Sequence, residues 1–160
     1  MNKKLKEISK KALQKISKSN FNHGEEWRYT SLSNFDKIKF TPQTINGKKK
    51  NLKFKNEVSF YNNELINNQT NLDNIFIDNI DTSLEHNIKT CTNYFNKILP
   101  LINNKFALYN TAYFKKGVFI HFKNNTHIKE PIYLNNIIEQ VDEKSFLNCR
   151  YLFSFGKNVS

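Results

Sequence analysis

Residues 1–19 carry hydrophobic side chains at helical intervals, and lysines fill the opposite face. This spacing is typical of an amphipathic helix whose apolar stripe packs against a core. We therefore predict an N-terminal docking helix with a solvated lysine face, in preference to a helix that lies on a membrane surface. The apolar stripe comprises Leu5, Ile8, Ala12, Leu13 and Ile16.

Two segments in the middle of the chain show the alternation of short β-strands. In "EVSFYNNELI", residues 57–66, Val58 and Phe60 alternate with polar residues, and Asn62-Asn63 can supply a tight turn. We predict a β-hairpin there and a further strand in "NIFIDNI", residues 74–80. The lysine-rich stretch before the hairpin is interpreted as a solvated loop.

A helical period returns after residue 80. Thr82 and Glu85 form a plausible capping box, and Pro100 should end or kink the helix that follows. In this interpretation Cys91 is a small core residue. A second, shorter helix is predicted over residues 104–114. The stripe of the first helix comprises Leu84, Ile88, Cys91, Tyr94, Phe95, Ile98 and Leu99.

Beyond Gly117 the chain consists of short runs rich in β-branched and aromatic residues, each bounded by turn residues. The runs are "GVFIHF", "EPIYLNNII" and "FLNCRYLFSF". Such spacing fits a β-solenoid or a β-sandwich. A solenoid needs about three coils and terminal caps, which these runs do not supply before Ser160. We therefore expect the sequence to be the first part of a longer protein.

The composition is strongly basic, with a formal net charge of +11 and a mean hydropathy of −0.67. Lysine supplies 23 of the 25 positive charges, and Asn, Lys and Ile are abundant throughout, as in proteins from AT-rich genomes. Nucleic-acid sites favour arginine, of which the chain has two. We therefore expect no nucleic-acid partner, and keep a basic nucleic-acid-associated protein as the alternative function.

The cysteines and the hydropathy indicate a soluble protein of a reducing, cytoplasmic compartment. Cys91 and Cys149 lie far apart and form no CxxC motif. The N-terminal lysines precede no apolar run of the kind found in signal peptides. No stretch approaches the roughly 20 apolar residues of a membrane span, so no membrane partner is expected.

Few residues could support catalysis or bind a metal. The chain has four glycines and no phosphate-binding loop or nucleophile elbow, so we predict no catalytic residues and no bound cofactor. His121, His127 and Cys149 are weak candidates for a metal site that stacked strands could assemble. Their spacing is generic, and scattered structural roles are the preferred interpretation.

The segment "NHGEEWRYTSL", residues 22–32, contains the only tryptophan and one of the two arginines. Trp27 and Tyr29 could bury a large area in a packed joint, with Arg28 paired to a carboxylate. Trp, Tyr and Arg are also the residues favoured at partner interfaces. The structural joint is the preferred interpretation, and a docking contact is the alternative.

Three motifs together resemble the SufD family of the SUF iron–sulfur cluster assembly system. They are "EEWRYTSL", "LYNTAYFKKGVFI" with the later "PIYL", and "CRYLFSFGKNVS". Tyr109 and Tyr151-Leu152-Phe153 depart from the usual pattern. By this resemblance the following residues have structural or docking roles: Glu25, Glu26, Trp27, Arg28, Tyr29, Thr30, Asn110, Thr111, Ala112, Phe114, Gly117 and Pro131.

The resemblance implies a non-catalytic scaffold with an α+β fold. An N-terminal helical and α/β region, residues 1–116, would lead into the first coils of a right-handed parallel β-helix, residues 117–160, which is truncated here. Members pair with SufB through the β-helix and with the ATPase SufC through C-terminal helices, which by this resemblance we expect to be absent from residues 1–160. The complex would handle an iron–sulfur cluster. A SufB-like subunit is the alternative within this class.

Overall fold

The computed structural model describes residues 3–19, 37–38, 41–42, 55–62, 64–68, 74–98, 104–114, 116–139 and 145–160. Within these ranges the helices are α1 (Lys3–Lys18), α2 (Ile80–Glu85), α3 (Lys89–Tyr94) and α4 (Lys105–Tyr113). The strands are β1 (Thr41–Pro42), β2 (Glu57–Tyr61), β3 (Glu64–Asn68), β4 (Ile75–Asn79), β5 (Val118–Phe122), β6 (Tyr133–Ile137), β7 (Ser145–Phe146) and β8 (Tyr151–Phe155).

The predicted N-terminal helix is confirmed as α1, which packs along α4. Leu5 and Ala12 are buried on its apolar face. Ala12 packs in a small cluster with Leu108 and Ala112 of α4. The helix predicted over residues 104–114 is thus confirmed as α4. Leu13 differs from the prediction, because 41% of its surface remains exposed.

Strand β5 is the centre of a three-stranded sheet in the order β4-β5-β8. It pairs antiparallel with β4 and parallel with β8. Because successive side chains of a strand point to opposite faces, β5 contributes to two cores. Phe119 packs in a cluster with Ile80 of α2, whereas Val118 and Ile120 pack in a cluster with Val58 of β2. The apolar run "VFIHF" thus reflects burial on both faces.

The predicted hairpin is confirmed as β2 and β3, which pair antiparallel on either side of the turn. Tyr61 pairs with Glu64, and Asn62 between them has a φ of 45°. β2 also pairs parallel with β6, giving a second three-stranded sheet in the order β3-β2-β6. β1 and β7 form a separate parallel pair. The strand predicted in residues 74–80 is confirmed as β4.

The prediction of one long helix after residue 80 was wrong. The chain forms α2 and α3 instead, separated at Asn87, whose φ of 52° cannot continue an α-helix. The capping box was also wrong, because the N-cap of α2 is Asn79 and its side chain makes no capping bond. The carboxylate of Asp78 accepts hydrogen bonds there from the Asn79 backbone N–H, at 2.7 Å, and from the Ser83 hydroxyl, at 3.3 Å.

The break in the helix also changes its apolar stripe. Leu84 and Cys91 are buried, and Cys91 is a core residue as predicted. Tyr94 is 48% exposed and Ile98 is 73% exposed, whereas Phe95 between them is 5% exposed, so the end of the stripe is only partly buried. Leu99 and Pro100 lie outside the described residues.

A parallel ladder with a constant offset of 33 residues joins β5 to β8 and continues beyond both strands. His121 faces Ser154 in the strands, and Asn125 faces Asn158 in the turns that follow. Both asparagines are left-handed, with φ of 59° and 56°. The main chain keeps pairing as far as Ile128, whose N–H donates to the Ser160 carbonyl oxygen at 2.8 Å.

Both three-stranded sheets combine strands from the two regions predicted on either side of residue 117. β2 pairs with β6, and β4 pairs with β5. The regions 1–116 and 117–160 therefore share their sheets, and the boundary between them stays a prediction.

Candidate functional site

The side chain of Arg150, just before β8, ties together three parts of the chain. Its Nε donates to Asn110 Oδ1 at 2.7 Å, and its Nη1 donates to Asn96 Oδ1 at 3.2 Å. Its Nη2 donates to the hydroxyl of Thr111. Asn110 and Thr111 belong to α4, and Asn96 follows α3. One guanidinium thus fixes α4 and the end of α3 against the start of β8.

Two aromatic rings complete the surroundings of this guanidinium. Its central carbon lies 5.6 Å from the ring centre of Phe95 and 5.5 Å from that of Phe114. A cation over a ring face is attracted by the ring quadrupole, and more strongly where water is excluded. Burial lowers the pKa of Arg150, but an arginine keeps its charge in proteins. Arg150 is therefore a desolvated cation held by neutral oxygens and ring faces.

Asn110 connects the same site to the main chain. Its Oδ1 accepts from Arg150, and its Nδ2 donates to the Cys149 carbonyl oxygen at 3.0 Å. Both the oxygen and the nitrogen of the Asn110 amide are therefore hydrogen-bonded to the adjacent residues Cys149 and Arg150. An aspartate or a leucine at this position would lose one or both of these bonds.

Gly117 lets the main chain approach Arg150 closely. A Cβ atom at this position would lie 2.5 Å from the Arg150 carbonyl oxygen and 2.7 Å from Cε2 of Phe114. The neighbouring N–H of Val118 donates to that same carbonyl oxygen at 2.9 Å, which begins the parallel ladder. The absence of a side chain at Gly117 is therefore what allows β5 and β8 to start in register.

The structure brings together four of the residues that the family resemblance singled out: Asn110, Thr111, Phe114 and Gly117 all contact Arg150. Two others lie elsewhere. Ala112 packs towards α1, and Pro131 is exposed in the turn before β6. The motif segment Glu25, Glu26, Trp27, Arg28, Tyr29 and Thr30 lies outside the described residues.

Sequence reasoning did not include Arg150, Phe95 or Asn96 among the site residues. The rarity of arginine in this lysine-rich chain was the available signal for Arg150. Phe95 was assigned to the stripe of a continuous helix. Asn96 has a φ of 59°, a conformation that asparagine tolerates better than most residues.

A cavity of about 460 Å³ opens beside Arg150. Arg150, Asn96 and Asn110 contribute polar groups, and Cys149 and Tyr151 line another part of the wall. The other described residues of the wall are apolar or aromatic: Ile80, Tyr94, Phe95, Ile98, Leu152 and Phe153. The described lining of the cavity therefore combines a half-buried cation with an extensive apolar surface.

The weak metal candidates do not assemble. His121 Nδ1 lies 3.2 Å from Ser154 Oγ, and His127 Nδ1 lies 2.7 Å from Ser160 Oγ. Cys149 Sγ lies 3.6 Å from the Tyr151 hydroxyl instead. Among the residues that the structure describes, no three His, Cys, Asp or Glu side chains are grouped so that they could hold a metal ion.

Comparison with known proteins adds no identification. No protein-family model matches the chain, and no curated protein matches it. In the described part of the chain, none of the helices has the length and apolar character needed to cross a membrane.

Replacement of Gly117 by alanine should destabilise the protein by about 1–3 kcal/mol, because the new methyl group would collide with backbone as well as side-chain atoms. Urea denaturation followed by circular dichroism measures this change. Lys129→Ala, in an exposed turn, is the control and should change stability by less than about 0.5 kcal/mol. Equal stabilities of the two variants would contradict the close approach of the main chain at Gly117.

The two thiols should differ in reactivity. Burial raises the pKa of Cys91 from its ordinary 9.0 to about 11; Lys4 lowers it and Asp78 raises it further by smaller amounts. Because the pKa is higher in the folded protein than in the unfolded chain, protonation of Cys91 favours the folded state. This contribution to stability is complete below pH 9.0 and is lost as the pH rises towards 11. At about pH 8, iodoacetamide should alkylate the half-buried Cys149 well before Cys91.

Mass spectrometry of the alkylated native protein measures the two rates, and Cys149→Ser isolates Cys91. The slow reaction of Cys91 should become fast when urea unfolds the chain. Equal rates of the two thiols in the native protein would show that Cys91 is not buried as described.

Proposed function

We propose that this chain acts as a SufD-like scaffold subunit in cytoplasmic iron–sulfur cluster assembly and does not itself catalyse a reaction. The proposal is supported by a contact between two of the motifs that resemble the SufD family. Asn110 and Thr111 of "NTAYF" bind the side chain of Arg150 in "CRYLFSFG", and Gly117 contacts its backbone. Thr111 and Asn110 lie 39 and 40 positions before Arg150 in the sequence, and both bind it in the folded chain.

The 33-residue ladder supports the β-helix part of this proposal. In a parallel β-helix, each coil places equivalent residues directly above those of the previous coil. The pairs His121–Ser154 and Asn125–Asn158 have this relation, and both asparagines are left-handed in equivalent turns. Phe122 and Phe155 also stack, with ring centres 4.8 Å apart. We propose that residues 117–160 form the first coils of such a helix.

The partners that follow from this proposal are a SufB-like subunit and a SufC-like ATPase, with an iron–sulfur cluster as the cargo of the complex. No residue of this chain is proposed as a ligand of that cluster. The role proposed for the chain is structural, because its rare residues fix the positions of main-chain segments.

Co-expression tests this proposal most directly. The full gene product, carrying an affinity tag, would be produced together with the SufB-like and SufC-like subunits of the same cell and purified by affinity and size-exclusion chromatography. We expect the subunits to co-elute and to stay associated in about 0.5 M salt, where exposed charges are largely screened.

The alternative function predicts a different result. A basic nucleic-acid-binding protein would elute without these subunits, bind DNA or RNA at physiological salt and lose affinity steeply as salt rises. A filter-binding titration of the same preparation measures this. Tight nucleic-acid binding together with no SufB-like partner would contradict the scaffold proposal.

A further inference from the structure

The cavity beside Arg150 has the make-up of a binding site for a small organic anion. Its polar groups, from Arg150, Asn96 and Asn110, accompany walls that are largely apolar or aromatic. We propose that the cavity binds a monocarboxylate carried on an aromatic or aliphatic body. This inference is independent of the scaffold function.

The charge of the site comes from the guanidinium of Arg150. Arginine has five N–H donors, and the described side chains that accept from it are Asn96, Asn110 and Thr111, each through a neutral oxygen. These three hydrogen bonds use one N–H group of Nε, Nη1 and Nη2 each. Nη1 and Nη2 therefore each have one further N–H group that can donate to a ligand. A cation taken out of water is costly unless it gains a counterion or strong hydrogen bonds. A bound carboxylate would supply both.

The apolar part of the cavity selects what the carboxylate is attached to. Ile80 and Leu152 contribute aliphatic surface, and Phe95 and Phe153 contribute ring surface. At about 460 Å³ the cavity falls within the range of small-molecule sites. Burial of an apolar body on these walls would supply the hydrophobic part of the affinity.

The cavity favours a carboxylate over a dianion such as a phosphate. Among the lining residues that the structure describes, Arg150 is the cation, and the accompanying Asn96 and Asn110 are neutral amides. The planar fork of a guanidinium matches carboxylates and phosphates alike, so the single positive charge of the described lining decides between them. One negative charge on a planar group is therefore the complement of this site.

Isothermal titration calorimetry tests the proposal with two compounds of nearly equal shape, 4-phenylbutyrate and the neutral 4-phenylbutan-1-ol. The acid should bind at least about tenfold more tightly than the alcohol, because hydrogen bonds to a charged group are stronger than neutral ones. Its affinity should fall only modestly with added salt, since a partly buried ion pair is poorly screened.

Two matched variants locate the binding site. Ile98, 73% exposed, lines the cavity, whereas Ile138, 64% exposed, lies outside its lining. Ile98→Glu places a carboxylate at the cavity wall and should weaken 4-phenylbutyrate binding about tenfold. Ile138→Glu makes the same chemical change elsewhere and should leave binding unchanged. Both positions are exposed, so we expect both variants to fold.

Arg150→Lys tests the guanidinium itself. The lysine keeps a positive charge but loses the planar fork, so the preference for acid over alcohol should shrink. Circular dichroism checks that this variant folds. If it does not, the comparison of Ile98→Glu with Ile138→Glu tests the proposal. The proposal is overturned if acid and alcohol bind equally, if neither binds at about 10 mM, or if the two glutamate variants bind the acid equally.

Discussion

A single desolvated guanidinium connects the elements on which the described fold depends. The side chain of Arg150 binds Asn110 and Thr111 of α4 and Asn96 at the end of α3, and rings lie on its faces. Its main-chain carbonyl accepts the N–H of Val118. Because the helices and the sheet meet at this residue, a change there affects helix packing and strand register together.

The ladder from β5 to β8 follows from the same joint. Once Gly117 admits the main chain of Arg150, the strands run parallel at one offset. The asparagines then serve a conformational purpose. Among the described residues, the non-glycine positions with positive φ are all asparagines: Asn62, Asn87, Asn96, Asn125 and Asn158. Asparagine visits this region more readily than most residues. At these positions asparagine is more than a product of genomic composition.

Local patterns predicted the local elements well. The apolar stripe of α1, the hairpin at Asn62 and the strands β4, β5 and β8 were all evident from spacing and turn residues. The long helix failed because its apolar period continued through Asn87, where the backbone turns left-handed. Periodicity reports which face is buried, and it does not report a break in the backbone.

The site was harder to predict than the elements. Asn110, Thr111, Phe114 and Gly117 were singled out by resemblance alone, and Arg150, which joins them, was left out. Its partner Asn110 lies 40 residues away, and contacts over such distances leave no local period. The 33-residue repeat was also missed, although "FIHFKNNTH" and "LFSFGKNVS" align residue by residue. Phe122 and Phe155, and Asn125 and Asn158, are the identical pairs in this alignment, so the sequence carries a weak signal of the repeat.

Arg150 and Asn110 act as one unit in this structure, since each completes a hydrogen bond of the other. A double-mutant cycle of Arg150→Lys and Asn110→Ala, followed by urea denaturation, measures this coupling. We predict that the two changes in the free energy of unfolding are coupled by at least about 0.5 kcal/mol, because each removes a bond that the other residue completes. Additivity within about 0.3 kcal/mol would show instead that the two side chains stabilise the fold independently.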